Sequence, residues 1–409
     1  MVDHTTEGMK APRTAFYHAN FYDKGGSERV AIMQAHLLQG KGYPVTCYAP
    51  IVDKRRCFPE ISQRLDIRPL LVTIPSPILK RTINRMLSFF TPIDRFKEYD
   101  ISVCHNHPGP YLGYRIKHAF KKPYICFIHA PWRRLYPRPI DLETGWATDV
   151  RATLMETFPS LRWWKSIDMV SIRGADAILT NSEKIADEVE EIYGRGDAEV
   201  CYPAVEEYFR PLPPKATSYI VNKYRLTRPI LLSTNRHAPQ KRIDFLIRLM
   251  PNVLKTHPQA TLVITGKPVM YYTKRLEGLA KELGVRKRAV FTRSVSEEDL
   301  ISLYNEADLY LYAAVQEDFG FGPIEAGACG TPTIAWDDGG PSETILNGVT
   351  GHAVTPYDEQ EYLEKTIRVL GDEGLRERMG LDAVRHVREN FTWRKHAETL
   401  ERAIQRVIN

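Results

Sequence analysis

Short apolar runs alternate with helical patterns along almost the whole chain, and this alternation limits the folds open to it. A strand–helix rhythm of this kind is typical of parallel sheets, in which each helix returns the chain to the start of the next strand. The sequence therefore predicts an α/β fold. The predicted strands are Thr14–Ala19, Pro44–Ala49, Ile67–Val72, Asp100–Cys104, Pro123–Ile128, Asp176–Thr180, Glu199–Tyr202, Pro229–Ser233, Thr261–Thr265, Ala289–Thr292, Leu309–Ala313, Thr331–Ala335 and Gly351–Val354.

The rhythm pauses at a proline-rich stretch just after the middle of the chain and then restarts. A chain of 409 residues is also longer than one ordinary domain. We therefore predict two tandem Rossmann-like doubly wound domains, residues 1–208 and 229–390, with a linker over 209–228 and a helical end over 391–409. Doubly wound sheets bind ligands at the carboxyl ends of their strands, so a deep cleft between the domains is the expected site.

Two glutamates that stand eight positions apart, Glu317 and Glu325, enclose a glycine-bearing turn after an apolar run. The turn contains Phe319, Gly320, Phe321 and Gly322. Glu325 is predicted to begin a helix of small residues. Backbone N–H groups at a helix N-terminus suit a phosphate, and carboxylates on either side suit the hydroxyls of two sugars. This pattern indicates a nucleotide-sugar site, and a plain strand-to-helix loop with incidental acids is the alternative.

Two further loops carry residues that suit a diphosphate. Gly25 and Gly26 precede a predicted helix, with Ser27 available as its N-cap, and backbone N–H groups there could approach a phosphate. Arg236 and Lys241 follow the first strand of the second half, where two cations can neutralise a departing diphosphate. A plain tight turn and a solvated basic loop are the alternatives. The chain has no Asp-x-Asp motif, so we expect no metal site and no cofactor.

Histidines follow two neighbouring predicted strands of the first half. His129 would stand at the carboxyl end of Pro123–Ile128, where it could hydrogen-bond a sugar hydroxyl or accept a proton. His107 is similarly placed after the preceding strand. We place His107 and Arg133 on the acceptor side of the cleft. A capping or packing role is the alternative for both histidines.

The net charge of +6 is unevenly distributed. Between Lys54 and Arg138 the chain has 17 basic and 5 acidic residues, a local net charge of +12. Anionic lipid, a pyrophosphate-linked acceptor and nucleic acid are the partners that such an excess attracts. Within this basic window, Ile78–Phe90 has the pattern of an amphipathic membrane-surface helix, or of one that packs on its own sheet. The basic residues of that segment are Lys80, Arg81 and Arg85.

The six cysteines are scattered and include no Cys-x-x-Cys pair, which predicts free buried thiols rather than disulfides or zinc ligands. No run of eighteen apolar residues is present, and the polar start lacks the core of a signal peptide. We therefore expect a cytoplasmic protein, with the basic window as a reason for peripheral contact with the cytoplasmic face of an anionic membrane.

Taken in order, these motifs resemble those of the family-four retaining glycosyltransferases, which have the two-domain GT-B fold. The match is strongest from Glu317 to Gly351, and it also includes Gly-Gly-Ser-Glu-Arg near the start and Arg236 with Lys241. Phe321 departs from the family pattern, which usually has a smaller aliphatic residue here. This departure leaves the shape of the sugar pocket open.

The resemblance implies a role for each matching position of the second half. Glu317 would hold the hydroxyls of the donor sugar, and Glu325 would bind the ribose of the nucleotide. The amides of Phe319–Gly322 would meet sugar and phosphate. Arg236 and Lys241 would grip the diphosphate.

In the first half, the resemblance implies that Gly25 and Gly26 close over the diphosphate and that His129 lies near the reacting sugar. The C-terminal helix, around Trp393–Val407, would cross back onto the first domain. The motif His129–Arg133 is similar to that of mannosyltransferases that extend lipid-linked or polysaccharide glycans.

These observations predict a metal-independent transferase that moves a hexose from a nucleotide diphosphate sugar to a hydroxyl of a glycan or lipid-linked acceptor. Mannose from GDP-mannose is the first hypothesis for the donor, and a UDP-hexose is the next. A nucleotide-sugar epimerase shares the architecture, and a non-catalytic protein could use the basic window to bind membranes or nucleic acid. A non-catalytic protein has no need of both glutamates and both cations. We also predict no nucleic-acid partner.

Overall fold

The computed structural model of the protein describes residues 11–70, 86–145 and 161–409. In the first half of this part of the chain, seven parallel strands form one sheet in the order β3-β2-β1-β4-β5-β6-β7. The strands are β1 (Thr14–Tyr17), β2 (Val45–Ala49), β3 (Ile67–Pro69), β4 (Ile101–His105), β5 (Tyr124–Ile128), β6 (Ala177–Thr180) and β7 (Glu199–Val200). The helices are α1 (Gly26–Gly40), α2 (Pro59–Ser62), α3 (Gly109–Phe120), α4 (Pro139–Glu143), α5 (Leu161–Arg173) and α6 (Glu183–Tyr193).

A second sheet of six parallel strands follows, in the order β10-β9-β8-β11-β12-β13. Its strands are β8 (Ile230–Thr234), β9 (Thr261–Thr265), β10 (Ala289–Arg293), β11 (Leu309–Tyr312), β12 (Thr333–Trp336) and β13 (Gly351–Val354). The helices of this half are α7 (Pro214–Thr217), α8 (Tyr219–Tyr224), α9 (Ile243–Thr256), α10 (Met270–Glu282), α11 (Glu297–Glu306), α12 (Phe321–Ala328), α13 (Gly340–Thr344), α14 (Glu359–Gly371), α15 (Glu373–Asn390) and α16 (Trp393–Ile408).

Each sheet reverses its strand order at one place, as expected of doubly wound domains. In the first sheet β1 pairs with both β2 and β4, and in the second sheet β8 pairs with both β9 and β11. All these pairs are parallel, so the loops after β1 and β4, and those after β8 and β11, leave the same edge of their sheet. Such a reversal leaves a crevice at the carboxyl ends of the strands. The predicted fold class, two Rossmann-like domains with a cleft between them, is confirmed.

The strands fold as near-continuous apolar runs because helices cover both faces of each sheet. In the first sheet, residues of α1 and α16 share one apolar core, and residues of α3, α5 and α6 share the other. In the second sheet, α9, α10 and α14 pack on one face, and α11 and α12 pack on the other. The stretch predicted as a linker contains α7 and α8, which pack against α11.

Element boundaries differ from the sequence predictions by a few residues. The strand expected from Thr331 begins at Thr333, because Pro332 has no N–H to donate to the ladder. Helix α1 begins at Gly26 with Gly25 as its N-cap, and Ser27 does not cap it. The hydroxyl of Ser27 instead donates to a carboxylate oxygen of Glu28, 3.1 Å away.

The C-terminal helix α16 packs on the first sheet, although it follows the second along the chain. Leu400, Ala403 and Ile404 are buried in the same apolar core as α1. The imidazole of His396 meets the side-chain amide of Gln34 at 2.9 Å. This helix therefore links the end of the chain to the first domain.

Several sequence expectations concern the chain as a whole. The six cysteines are free and buried, as predicted. Among the residues that the structure describes, no helix has the length and apolar character needed to cross a membrane. Most of the predicted amphipathic segment, including Lys80, Arg81 and Arg85, lies outside the described residues. At its described end Phe90 is 64% exposed, whereas Phe89 is buried.

Replacing Leu400 with alanine should lower the free energy of unfolding by about 2–5 kcal/mol, because it removes a fully buried side chain between two layers. Urea denaturation followed by circular dichroism measures the change. Leu381→Ala is the matched control, because Leu381 is 73% exposed on the neighbouring helix α15 and should cost little. Equal losses in the two variants would contradict the docking of α16 on the first sheet.

Candidate active site

A cavity of about 550 Å³ lies where the loops after β1, β4, β5 and β6 face the loops after β8 and β11. Side chains of both domains line it. The residues predicted from the sequence that line this cavity are Gly26, His129, Arg236, Lys241, Glu317, Phe319, Gly320, Phe321, Gly322 and Glu325. Residues that lie up to 299 positions apart in sequence are thus brought together at the two strand-order reversals.

The carboxylate of Glu317 forms an ion pair with the ammonium group of Lys241. Burial opposes ionisation of Glu317, but the charge and hydrogen bond of Lys241, with Arg133 and Arg138 nearby, lower its pKa. Glu317 is therefore a carboxylate at neutral pH. Its neighbour Asp318 differs, since burial raises its pKa despite the guanidinium group of Arg138.

Helix α12 points its N-terminus into the cavity. It begins at Phe321, so Glu325 lies one turn inside the helix and does not open it as the sequence suggested. Gly320 precedes the helix at φ +82°, a conformation that glycine adopts without strain. At Gly322 a Cβ atom would come within 2.0 Å of the Tyr310 hydroxyl. Only glycine therefore fits at the start of this helix against Tyr310.

Both carboxylate oxygens of Glu325 are occupied. The guanidinium group of Arg29, in the first turn of α1, donates to one oxygen at 2.7 Å, and the hydroxyl of Tyr304 donates to the other at 2.8 Å. The same guanidinium group lies 4.6 Å from the ring centroid of Phe321 and pairs with Glu206. Arg29 thus joins the first domain to the predicted ribose site of the second.

Phe321, which departs from the family pattern, forms part of this contact between the domains. Its ring lies so close to Gly26 that a Cβ atom on the glycine would be 3.0 Å from a ring carbon. Gly25 lies just outside the cavity lining, where a Cβ atom would meet the folded-back carboxylate of Glu28 at 2.2 Å. The large aromatic ring is therefore accommodated because the facing residue has no side chain.

Arg236 is exposed at the mouth of the cavity. Within the described part of the chain its guanidinium group forms no ion pair, in contrast to that of Lys241. It follows Asn235, whose backbone N–H is held by Thr265 at 2.9 Å. Arg236 is thus a cation on an anchored backbone whose charge is available to an anionic ligand.

His129 forms a hydrogen bond with a second histidine that the sequence analysis did not single out as a site residue. His129 Nε2 and His105 Nδ1 are 3.0 Å apart. Burial, followed by the influence of neighbouring histidines, holds the pKa of each well below the usual value of a histidine. The pair is therefore uncharged at neutral pH, and His129 faces the cavity as a neutral hydrogen-bonding group.

A second cavity of about 290 Å³ adjoins the first through Ser27, Asn106 and Ala130, which line both. His107 and Arg133 line this second cavity and not the first. His107 Nε2 meets Asp168 at 2.7 Å, and its ring stacks on Trp132 at a centroid distance of 5.0 Å.

Arg133 is likewise engaged inside the first domain. Its guanidinium group pairs through two nitrogens with the carboxylate of Asp141, which is buried. Several other cations of the basic window are also held by partners, among them Lys117 by Asp176 and Lys122 by Asp100. Part of the positive charge of this window is therefore neutralised by ion pairs within the first domain.

Comparison with known proteins shows which family the chain belongs to. A family described as "Glycosyltransferase Family 4" matches residues 24–207, and one described as "Glycosyl transferases group 1" matches residues 220–385. The chain belongs to the family-four glycosyltransferases. It is accordingly an enzyme of the hexosyltransferase class, and its two-sheet architecture is the GT-B fold of that family.

Individual proteins show how far the likeness of this glycosyltransferase extends. The alpha-1,3/1,6-mannosyltransferase of Homo sapiens is 24% identical over 437 residues, which cover 98% of each chain. The GDP-mannose-dependent alpha-(1-6)-phosphatidylinositol monomannoside mannosyltransferase of Mycolicibacterium smegmatis is 30% identical over 195 residues, 46% of this chain and 50% of that protein. The crystal structure of Anabaena HepE in complex with UDP-glucose has a TM-score of 0.77 at 17% identity, and the match covers 96% of this chain and 99% of that one.

Stability should fall as the pH is lowered from 7.5 to 5.5. The pKa of His105 and of His129 is depressed in the folded state, so the unfolded state binds more protons between the folded pKa and about 6.5. The stabilisation is complete above the unfolded pKa and is lost below it, by up to about 1.4 kcal/mol per pH unit and group. Urea unfolding at several pH values measures the slope.

His105→Gln should make this slope shallower, because the unfolded state then binds about one proton fewer relative to the folded state. His118→Gln replaces an exposed histidine of α3 and controls for the loss of a histidine in itself. An unchanged slope in His105→Gln would show that the buried pair is not kept neutral by the fold.

Proposed function

We propose that the protein transfers a hexose, first of all mannose from GDP-mannose, to a hydroxyl of a glycan or lipid-linked acceptor, without a metal ion and with retention of the anomeric configuration. The observation that carries the proposal is the meeting of Glu317, Lys241, Arg236 and the N-terminus of α12 in one cavity between two domains. These groups are what a nucleotide diphosphate sugar requires.

The diphosphate leaves the sugar with increasing negative charge, and fixed positive groups stabilise that charge as it develops. Lys241 and Arg236 supply two cations, and the backbone N–H groups of Gly320–Gly322 at the start of α12 supply a helix terminus that favours anions. Lys241 is paired with Glu317, and the diphosphate and the donor sugar each take one member of that pair. Glu317 then binds sugar hydroxyls, and Glu325 binds the ribose.

The acceptor approaches from the first domain. The neutral imidazole of His129 hydrogen-bonds the donor sugar, since a protonated form is disfavoured by its surroundings. The departing diphosphate takes the proton of the acceptor hydroxyl on the face that it leaves, so a new bond forms on that same face and the configuration is retained. We assign the acceptor to the 290 Å³ cavity beside His129, which His107 and Arg133 line.

The similarity to two mannosyltransferases, one of them named as GDP-mannose-dependent, supports mannose as the first donor to test. The likeness to a UDP-glucose complex supports a UDP-hexose as the second. We further propose a division of labour in which residues 1–208 bind the acceptor, residues 229–390 bind the donor, and residues 391–409 tie the two together. Contact with anionic membrane stays a prediction, because Lys80, Arg81 and Arg85 lie outside the described residues.

The nucleotide sugar that serves as donor should raise the melting temperature of the protein. Ligands that bind only the folded state stabilise it according to the ratio of their concentration to the dissociation constant. Thermal-shift measurements with GDP, UDP, GDP-mannose, UDP-glucose and UDP-N-acetylglucosamine, each with and without a chelator, should single out one base.

The same panel is then followed for sugar release or transfer, and appearance of an epimer of the donor would favour an epimerase. Binding that requires magnesium or manganese would contradict the metal-independent proposal.

Lys241→Met and Glu317→Gln should each lower kcat by about a hundredfold or more, because each removes charge at the reacting centre and leaves its partner unpaired. Lys255→Met, at the far end of α9, removes an exposed lysine and should leave kcat unchanged. Steady-state kinetics with the identified donor measures both. Near-normal turnover in Lys241→Met and Glu317→Gln would refute the assignment of this cavity.

A further inference from the structure

Arg138 belongs to the first domain, yet its guanidinium group reaches both chain neighbours of Glu317 in the second. One terminal nitrogen donates to the backbone carbonyl of Gln316 at 2.7 Å and to the carboxylate of Asp318 at 2.6 Å. The other terminal nitrogen donates to Glu188 of α6 at 2.6 Å. The planar fork of arginine suits such a set of acceptors, and the side chain is buried.

Two more groups of the first domain hold the same short segment. The backbone N–H of Ile140 donates to the side-chain oxygen of Gln316 at 3.2 Å, and the hydroxyl of Ser182 donates to the backbone carbonyl of Asp318 at 2.6 Å. Gln316 has φ +51°, which residues other than glycine adopt only when their surroundings hold them there. The conformation of the segment that carries Glu317 therefore depends in part on the facing domain, beside its own contacts with Asp338 and Gly339 of the second domain.

The groups proposed to grip the nucleotide are arranged differently. Arg236, Glu325 and the N-terminus of α12 all belong to the second domain, and their backbone positions are set by the second sheet. Opening of the cleft would leave these groups in place. It would break the bonds from Arg138, Ile140 and Ser182. The bridge from Glu317 to Gly339 and the hydrogen bond from the Gln316 N–H to Asp338 lie within the second domain and would remain, so Glu317 would lose only the part of its support that comes from the first domain.

We propose that Arg138 is a positioning residue that places Glu317 for the donor sugar only while the two domains are closed. The enzyme can then bind the nucleotide in an open cleft but engages the sugar only after closure. A donor in the open state, where water has access, does not meet a correctly placed Glu317. The inference rests on the proposed function in one respect, namely that Glu317 binds the donor sugar.

The first test needs no ligand. Hydrogen exchange is followed by mass spectrometry in Arg138→Gln and in the unaltered protein, in a peptide that spans Gln316–Asp318. Exchange in this peptide should rise at least tenfold in the variant, while peptides of β8 and β9 stay protected. Arg195→Gln is the matched control, because Arg195 loses an ion pair with Asp197 and bonds to backbone carbonyls, all within the first domain. Equal protection of the peptide in Arg138→Gln and Arg195→Gln would overturn the proposal.

The second test separates positioning from a general loss of structure. Arg138→Gln should lower kcat by about a hundredfold, since a displacement of about 1 Å of a reacting group has effects of this size. Its dissociation constant for the free nucleoside diphosphate should stay within twofold of the unaltered protein, and the nucleotide sugar should lose whatever extra affinity its sugar provides. Loss of nucleotide affinity in proportion to kcat, or an unchanged kcat, would refute a positioning role.

Asp318→Asn provides a second variant in which Arg138 remains and only the charge of its partner is removed. It should lower kcat less than Arg138→Gln, and the double variant should be no slower than Arg138→Gln alone, because both changes act on one contact. Additive losses would contradict this. If the unaltered protein turns over no nucleotide sugar, the proposed function fails, and the exchange experiment still decides the role of Arg138.

Discussion

The site depends on one topological constraint, the reversal of strand order in each of two parallel sheets. In a parallel sheet every strand delivers its following loop to the same edge, and the reversal leaves a crevice there that no helix fills. The two crevices face each other in this protein, so loops that are far apart in sequence line one cavity. The residues are therefore divided, with Arg236, Lys241 and the two glutamates on the wall of the second domain and His129 on the wall of the first.

Most charged side chains inside the cleft are paired with one another. Lys241 is paired with Glu317, and Arg29 is paired with Glu325 and Glu206. Buried ions need such partners, because an unpaired charge in a poorly hydrated place is costly. An incoming diphosphate adds negative charge, and Arg236 offers a cation that forms no ion pair with any described residue. The arrangement favours a ligand that carries anionic oxygens and hydroxyls together. The anionic oxygens can take the place of a glutamate beside its cation, and the hydroxyls can take the place of the cation beside its glutamate.

The alternation of strand and helix predicted the two sheets because apolar runs buried on both faces have a strong local signal. The same holds for the turn at Gly320–Gly322, whose glycines mark a backbone that must come close to something else. Local patterns were less informative about helix starts. Glu325 was expected to open α12, but the helix begins at Phe321, since Gly320 at φ +82° ends the preceding extended segment.

The residues missed by sequence analysis act across long separations. Arg29 meets Glu325 across 296 positions, and Arg138 meets Asp318 across 180 positions. No periodicity or spacing encodes such pairs, because they arise only when two independently folded sheets are brought face to face. His105 was missed for another reason. It ends a buried strand and looks like a packing residue, and only its 3.0 Å contact with His129 gives it a role at the site.

Arg29 and Arg138 both cross the cleft with the same chemistry but opposite consequences. Arg29 occupies one oxygen of the Glu325 carboxylate, and under the proposed function a ribose that binds Glu325 has to displace it. Arg138 holds neighbours of the carboxylate that a sugar would use, so donor binding at Glu317 benefits from it. Closure is thus opposed at the nucleotide end of the cavity and supported at the sugar end. A nucleotide alone competes with Arg29 without gaining a sugar contact at Glu317. Under the proposed function, only a donor that carries its sugar compensates for the lost Arg29–Glu325 contact by binding Glu317. Domain closure would then be linked to the ligand that can react.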